Sequence, residues 1–433
     1  MSAVSVPWYY RLLIRLAKPI YRQKVAKKSA HLPTCQRELN ERFGEHYGAL
    51  PSHMGRGLIW CHAVSLGEIN TAYPLLKLLL EQGFSLWITS TTQTGFNRVE
   101  ILFKSELWQT VAHSFVPVDD GAVVGRFLDH LQPIMALFVE TELWATMLSL
   151  LKQRGVPSVM INARLTAKSF QGYQRFARIS GGMMKNLSLI IAQDRQSAEH
   201  FCQLGADSSK VKQADSLKWV SGQGLTDTQQ ALFDEINASD KWHLDRPIWV
   251  AGSTHDDEEH QILAVHGELL KKFANVVLIL VPRHPERFDA VADLCQEFKT
   301  SRRSNHETIN EGTQVYLADS MGELLLWYAL ADAVFVGGSL VDVGGHNPIE
   351  PAIFAKPIIM GHFLKNCQLL ADELAGVGAL TVVQDSGEML PLLSDYFTNP
   401  DKARAAGEQG QILTAQKQHA HHQQYQLLKP LLP

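Results

Sequence analysis

The sequence predicts an α/β protein of two doubly wound domains, each a parallel sheet with helices on both faces. Three observations predict this. Short apolar runs alternate with helix-length stretches along most of the chain, the rhythm of parallel strands joined by helical crossovers. The rhythm breaks once, across residues 221–246, a polar stretch with Gly222, Gly224 and one short helix-like segment, and then restarts. At 433 residues the chain is too long for one ordinary core.

The N-terminus comes first. Trp8, Tyr9, Leu12, Leu13, Leu16, Ile20 and Tyr21 can share one side of a helix. Arg11, Arg15, Lys18, Arg22, Lys24, Lys27 and Lys28 flank them, with no acid before Glu38. This is the pattern of an interfacial helix on anionic lipid, or of an amphipathic helix packed on its own domain. It is not that of a signal peptide, because basic residues interrupt the apolar positions. No segment reaches the roughly 18 to 20 apolar residues that span a bilayer. Strands follow at 57–63, 85–89, 137–139, 158–161 and 189–192, with a helix from about Gly67 after the first. Beyond the break, strands are expected at 248–251, 276–281, 314–317, 333–336 and 357–360. The tail past about Asp401 reads as helical and rich in His and Gln, able to cap either domain. Its His419, His421 and His422 suit a solvated helix better than a metal site. The expected organisation is a basic amphipathic segment at 1–34, a Rossmann-like domain at 35–225 and a second at 226–433. A hinge near 221–246 would leave an active-site cleft between them.

Composition narrows the function. Hydrophobic residues at 45% and charged residues at 19% mark a globular chain, and a net charge of −4 gives no reason to expect a nucleic-acid partner. Cys35, Cys61, Cys202, Cys295 and Cys367 are scattered, odd in number and without CxxC spacing, so they neither staple a secreted fold nor form a zinc site. The absence of GxxxxGK[ST] argues against P-loop hydrolysis, and the absence of GxGxxG after the first strand argues against a nicotinamide enzyme. Asp119-Asp120 and Asp256-Asp257 do not resemble a metal clamp between strands, and no metal or other cofactor is expected.

The chemistry-bearing motifs fall just after strands, where open α/β sheets bind ligands. Ser65-Leu66-Gly67-Glu68 places a carboxylate at a helix start, either as a general base for a hydroxyl or as an acid favoured by the helix dipole. Glu140-Thr141-Glu142-Leu143-Trp144 adds two more carboxylates at the same edge. Thr92-Gln93-Thr94-Gly95 is a hydroxyl-rich turn for a polar ligand or a helix cap, and Arg164 of Asn162-Ala163-Arg164 can meet an anion or pair with a glutamate. Lys218 of Ser216-Leu217-Lys218 is either an anion-binding ammonium or a surface lysine. In the second half, Ser253-Thr254-His255, Pro282-Arg283 and Met321-Gly322-Glu323 end or follow strands, and Arg283 offers a planar fork for phosphate. Residues 337–351, with two glycine pairs, then Asn347, Pro348, Ile349 and Glu350, predict an anion site. The loop amides and a helix N-terminus capped by Asn347 would hold phosphate, and Glu350 would accept from sugar hydroxyls.

Taken together, in order and with compatible spacing nearly end to end, these motifs resemble the 3-deoxy-D-manno-octulosonic acid (Kdo) transferases of lipopolysaccharide assembly. The resemblance implies a GT-B fold and inverting transfer of Kdo from CMP-Kdo to a lipid A precursor, with CMP released. It implies Glu68 as the general base, Glu140 and Lys218 as transition-state stabilisers, and CMP held by Pro282, Arg283, Met321, Gly322, Glu323, Asn347, Pro348, Ile349 and Glu350. It also implies work at the cytoplasmic side of the inner membrane. Three positions depart from the pattern: Asp215 stands for a usual glycine, and Ala145 and Gln93 for usual prolines.

Overall fold

The computed structural model describes residues 3–222, 224–239, 242 and 244–433. Residues 223, 240, 241 and 243 of the expected hinge stretch, and the first two of the 1–34 segment, lie outside the described residues. The chain divides into two compact units, Met1–Val220 with His419–Pro433, and Ser221–Gln418.

The first unit holds a seven-stranded parallel sheet. Its strands are β1 (Leu58–His62), β2 (Ser85–Ser90), β3 (Val111–Phe115), β4 (Met135–Val139), β5 (Ser158–Ala163), β6 (Leu189–Ala192) and β7 (Val211–Gln213), ordered 3-2-1-4-5-6-7. Both faces are buried: Ile59 and Cys61 point into one apolar cluster, Leu58 and Trp60 into the other. That double burial explains why the inner strands read as continuous apolar runs. The order reverses between β1 and β4, so the loops leaving these strands diverge to opposite sides of the sheet and open a crevice at its carboxyl edge.

The second unit repeats the plan. Its strands are β8 (Ile248–Thr254), β9 (Val277–Pro282), β10 (Thr300–Arg302), β11 (Val315–Leu317), β12 (Ala333–Val336), β13 (Ile358–Gly361) and β14 (Leu380–Val383), all parallel, in the order 10-11-9-8-12-13-14. Here the reversal falls between β8 and β12.

Two terminal segments differ from or refine the sequence expectation. The tail does not stay with the second domain as the boundary 226–433 supposed. The helix Ala420–Leu428 buries Tyr425 and Leu428 among Leu75, Leu76 and Leu79 of the first unit. At the other end, the helix Trp8–Ser29 is docked on one side and bare on the other. The Tyr10 hydroxyl donates to Asp119 at 2.7 Å, and Val25 and Ser29 are buried. Trp8, Leu13, Leu16 and Ile20 remain 63–70% exposed. No helix among the described residues is long and apolar enough to cross a membrane. The acidic pair beside the docked side is structural. Asp119 accepts the Thr146 and Met147 amides, and Asp120 caps the helix Gly121–Leu131.

Candidate active site

In the first unit, β1 runs into Ser65, which caps the helix Leu66–Glu81. Glu68 lies in that helix's first turn and turns back toward the strand, its Oε2 accepting the Val64 amide at 2.7 Å. Burial raises its pKa to about 7, against the opposing Val64 hydrogen bond and with help from the negative charges of Glu140 and Glu142. A carboxyl so tuned is half ionised near neutral pH, where a general base works best. Gly95 of the next turn lies against this segment; a Cβ there would come 3.2 Å from the Ser65 carbonyl carbon.

Across the reversal, Glu140 leaves β4 with φ 57°, a left-handed conformation that a non-glycine residue adopts at some expense. Its Oε1 lies 3.4 Å from Lys218 Nζ. Lys218 sits in the short 3-10 helix Leu217–Ser221, held from two sides. The Oδ1 of Asn162, buried and left-handed at φ 49°, accepts the Leu217 amide at 2.9 Å and the Ser216 hydroxyl at 3.0 Å. Gln424 reaches from the C-terminal helix to the Asp215 carbonyl and accepts the Asn162 amide, while Gln423 bonds the Asp215 amide and carboxylate. Asp215 is not among the residues with positive φ, so nothing in the backbone demands the glycine usual there. Gln93 and Ala145 each occupy the first residue of a helix, where proline's fixed φ and missing amide are harmless; the substitutions leave the turns formed.

Glu142 accepts the Trp144 indole at 3.0 Å and lies 3.7 Å from His62 Nε2. His62 is fully buried, with its Nδ1 on Thr89. In the sequence it is a strand residue like its neighbours, marked only as a lone imidazole in an otherwise apolar run. Arg164 makes no ion pair among the described residues, so its proposed pairing with a glutamate does not form.

In the second unit, Pro282 ends β9, and the Arg283 side chain is exposed beside His255, His346 and Glu350, whose proton affinities its charge lowers. Met321 is 59% exposed, and Gly322 turns with φ 83°. Glu323 is fixed by Arg303 Nε and Nη2, at 3.0 and 2.7 Å, and by the Ser320 hydroxyl. The helix is the single turn Ile349–Ala352, and Pro348 rather than Asn347 stands in its cap position; Asn347 Oδ1 accepts the Ile349 amide at 3.2 Å. Burial raises the pKa of Glu350, and its Oε1 is 3.4 Å from Asn347 Nδ2.

The expected phosphate cradle of backbone amides is not there. The amides of Gly338, Ser339 and Leu340 already donate to the buried carboxylate of Glu258, at 2.7, 3.0 and 2.9 Å, and the His255 amide adds a fourth bond at 3.0 Å. Those of Gly344, Gly345 and His346 go to carbonyls of Gly338 and Gly337. The helix beyond is a single turn. The glycines serve close packing: a Cβ on Gly337 would stand 2.4 Å from the Ser253 carbonyl oxygen. The sequence hid Glu258 in an acidic run, 256–259, that resembles a solvated helix start. Among the described residues, no three His, Cys, Asp or Glu are grouped to hold a metal ion.

Two doubly wound parallel sheets, one in each unit, make a two-domain α/β fold of the GT-B type. A glycosyltransferase from Rickettsia africae superposes with TM-score 0.57 at 12% identity, covering 87% of this chain and 98% of that one. UDP-GlcNAc 2-epimerase from Neisseria meningitidis gives 0.53 at 11% identity, covering 83% and 100%.

Sequence comparison is more specific. The family model described as 3-Deoxy-D-manno-octulosonic-acid transferase (kdotransferase) matches residues 37–221. The Kdo transferase of Haemophilus influenzae is 36% identical over 431 residues, 98% of both chains. That of Bordetella pertussis is 29% identical over 86% of this chain and 87% of its own. The chain therefore belongs to the 3-deoxy-D-manno-octulosonic acid transferase family, glycosyltransferases of lipopolysaccharide biosynthesis.

Proposed function

We propose that the protein transfers Kdo from CMP-Kdo to the glucosamine disaccharide of a lipid A precursor (lipid IVA), with inversion and release of CMP. The observation that carries this reading is Glu68. It stands at the reversal of the first sheet, ionising near neutral pH, with the Glu140–Lys218 pair in the same unit. In the reaction, Glu68 takes the proton of the acceptor hydroxyl as that oxygen attacks the anomeric carbon. The bond from that carbon to the phosphate oxygen breaks, and its electron pair leaves with CMP. Glu140 faces the positive charge gathering at the anomeric centre, and Lys218 faces the Kdo carboxylate or the departing phosphate. Pro282, Arg283, Met321, Gly322, Glu323, Asn347, Pro348, Ile349 and Glu350 form the CMP grip, and no metal is required. The bare apolar side of the helix Trp8–Ser29, flanked by basic residues, suits the anionic cytoplasmic face of the inner membrane, where the acceptor lipid lies.

The test is CMP release from purified protein given CMP-Kdo, with and without the acylated disaccharide, alongside mass spectrometry of the lipid product. Release that requires both substrates supports the reading. Thermal stabilisation by UDP but not by CMP overturns the donor assignment.

A further inference from the structure

At the reversal of the second sheet, between β8 and β12, two imidazoles meet. His255 follows β8, and His346 closes the glycine loop after β12. Their Nε2 atoms are 2.7 Å apart, and the rings meet edge to edge, with centroids 5.0 Å apart and planes 8° from parallel. Both segments hang on one carboxylate, because Glu258 accepts the His255 amide and three amides of the glycine loop. Gly338 leaves room for the His346 ring; a Cβ there would lie 3.0 Å from its Cδ2. The pair is thus built by two strand ends at the place where such sheets bind ligands. Neither ring belongs to the CMP grip assigned above.

We propose that His255 and His346 act as one hydrogen-bonded unit that donates through a ring Nδ1–H to the phosphate of the bound nucleotide. The unit would stabilise the charge left on that phosphate when the sugar departs. The proposal rests on the nucleotide-donor reading above. Its chemistry follows from the contact. Burial, aided by the neighbouring ring and Arg283, holds His346 down to about 4, and burial also lowers His255, so both rings are neutral near pH 7. A hydrogen bond between two neutral Nε2 atoms needs one donor and one acceptor. The accepting ring must then carry its proton on Nδ1, which gives the pair one ring N–H beyond the bond between them. Arg283 and His284 lie beside it, so the phosphate meets donors on the β8, β9 and β12 loops. With the loop amides held by Glu258, these side chains take over the role that a glycine-loop nest plays elsewhere.

The experiment is calorimetric titration of the full-length protein and of His255→Gln and His346→Gln with CMP and with cytidine. Glutamine keeps a polar end near Nε2 and removes Nδ1. In one of the two variants, that of the accepting ring, CMP affinity should fall about ten- to hundredfold, the loss of a charge-assisted hydrogen bond. Cytidine affinity should stay within about twofold, and kcat should fall with CMP affinity. If CMP and cytidine weaken together in both variants, or neither weakens, the proposal is wrong. If the unsubstituted protein binds UDP and not CMP, the donor reading fails instead. The pair is then judged by the same comparison with UDP against uridine.

Discussion

The two sheet reversals share a plan and differ in chemistry. In the first unit the loops after β1 and β4 carry Glu68, Glu140 and Glu142, answered by Lys218. In the second, the loops after β8 and β12 carry His255 and His346, with Arg283 alongside. The first set can take up a proton and face positive charge; the second can donate to an anion. Each unit ties in a segment through one buried acceptor: Asn162 takes the Leu217 amide and the Ser216 hydroxyl in the first, and Glu258 takes four backbone amides in the second. On the function proposed above, the same architecture supplies both halves of a group transfer, and the division of labour lies in the strand-end residues rather than in the sheets.

That comparison can be broken in graded steps. The largest effect is expected from Glu68→Gln, which should lower kcat by about two to four orders of magnitude, as loss of a general base does. In the unsubstituted enzyme kcat/KM should rise with pH through about 7, where burial places the Glu68 carboxyl, and fall below it. The sign for stability is opposite. A carboxyl whose folded pKa lies above its unfolded value disfavours the folded state once pH exceeds the unfolded value. Glu68→Gln should therefore melt higher relative to the parent at pH 8 than at pH 5; a melting difference independent of pH would contradict the burial argument.

Next comes Glu258→Ala, which strands four amides and should lower stability by about 3 kcal/mol or more in denaturant titration. An unchanged midpoint would show the loop to be held by other means. Asn162→Ala removes two bonds to the Lys218 segment and should take away roughly 2 kcal/mol, with turnover falling toward that of Lys218→Ala. Asn162→Asp, which keeps the acceptor, should retain most of both. The smallest effect on chemistry is expected from Leu16→Glu with Ile20→Glu. These leave the Tyr10–Asp119 contact intact and should reduce cosedimentation with anionic vesicles while sparing turnover of detergent-dispersed acceptor. Undiminished cosedimentation would remove the helix as the membrane contact.

The sequence revealed the inner strands and missed β3, β7, β10 and β14, which are the four sheet edges. An inner strand of a doubly wound sheet is covered on both faces and reads as an apolar run. Edge strands are short or mixed: β7 is Val-Lys-Gln, β10 is Thr-Ser-Arg, and β3 contains His113 and Ser114. The same limit applied to the site. Glu68, Glu140 and Arg283 were visible because strand-end position alone marks them. The roles of Asn162, Glu258 and Gln424 were not, because their partners lie 55, 80 to 82 and 262 residues away in the chain. The glycine loop misled because composition reports that a backbone can bind an anion, not that a carboxylate of the protein already occupies it.

The grip of Gln423 and Gln424 on the Asp215 segment bears on the order of events during synthesis. The first sheet is complete once β7 has emerged, yet the second support of the turn bearing Lys218 is made about two hundred residues later. At ordinary elongation rates that delay is on the order of 10 to 40 s. The second unit is made entirely within that interval. The first unit would therefore wait with its sheet formed, its Lys218 turn held by Asn162 but without the glutamines, and Leu75, Leu76 and Leu79 uncovered until the last helix comes back to it.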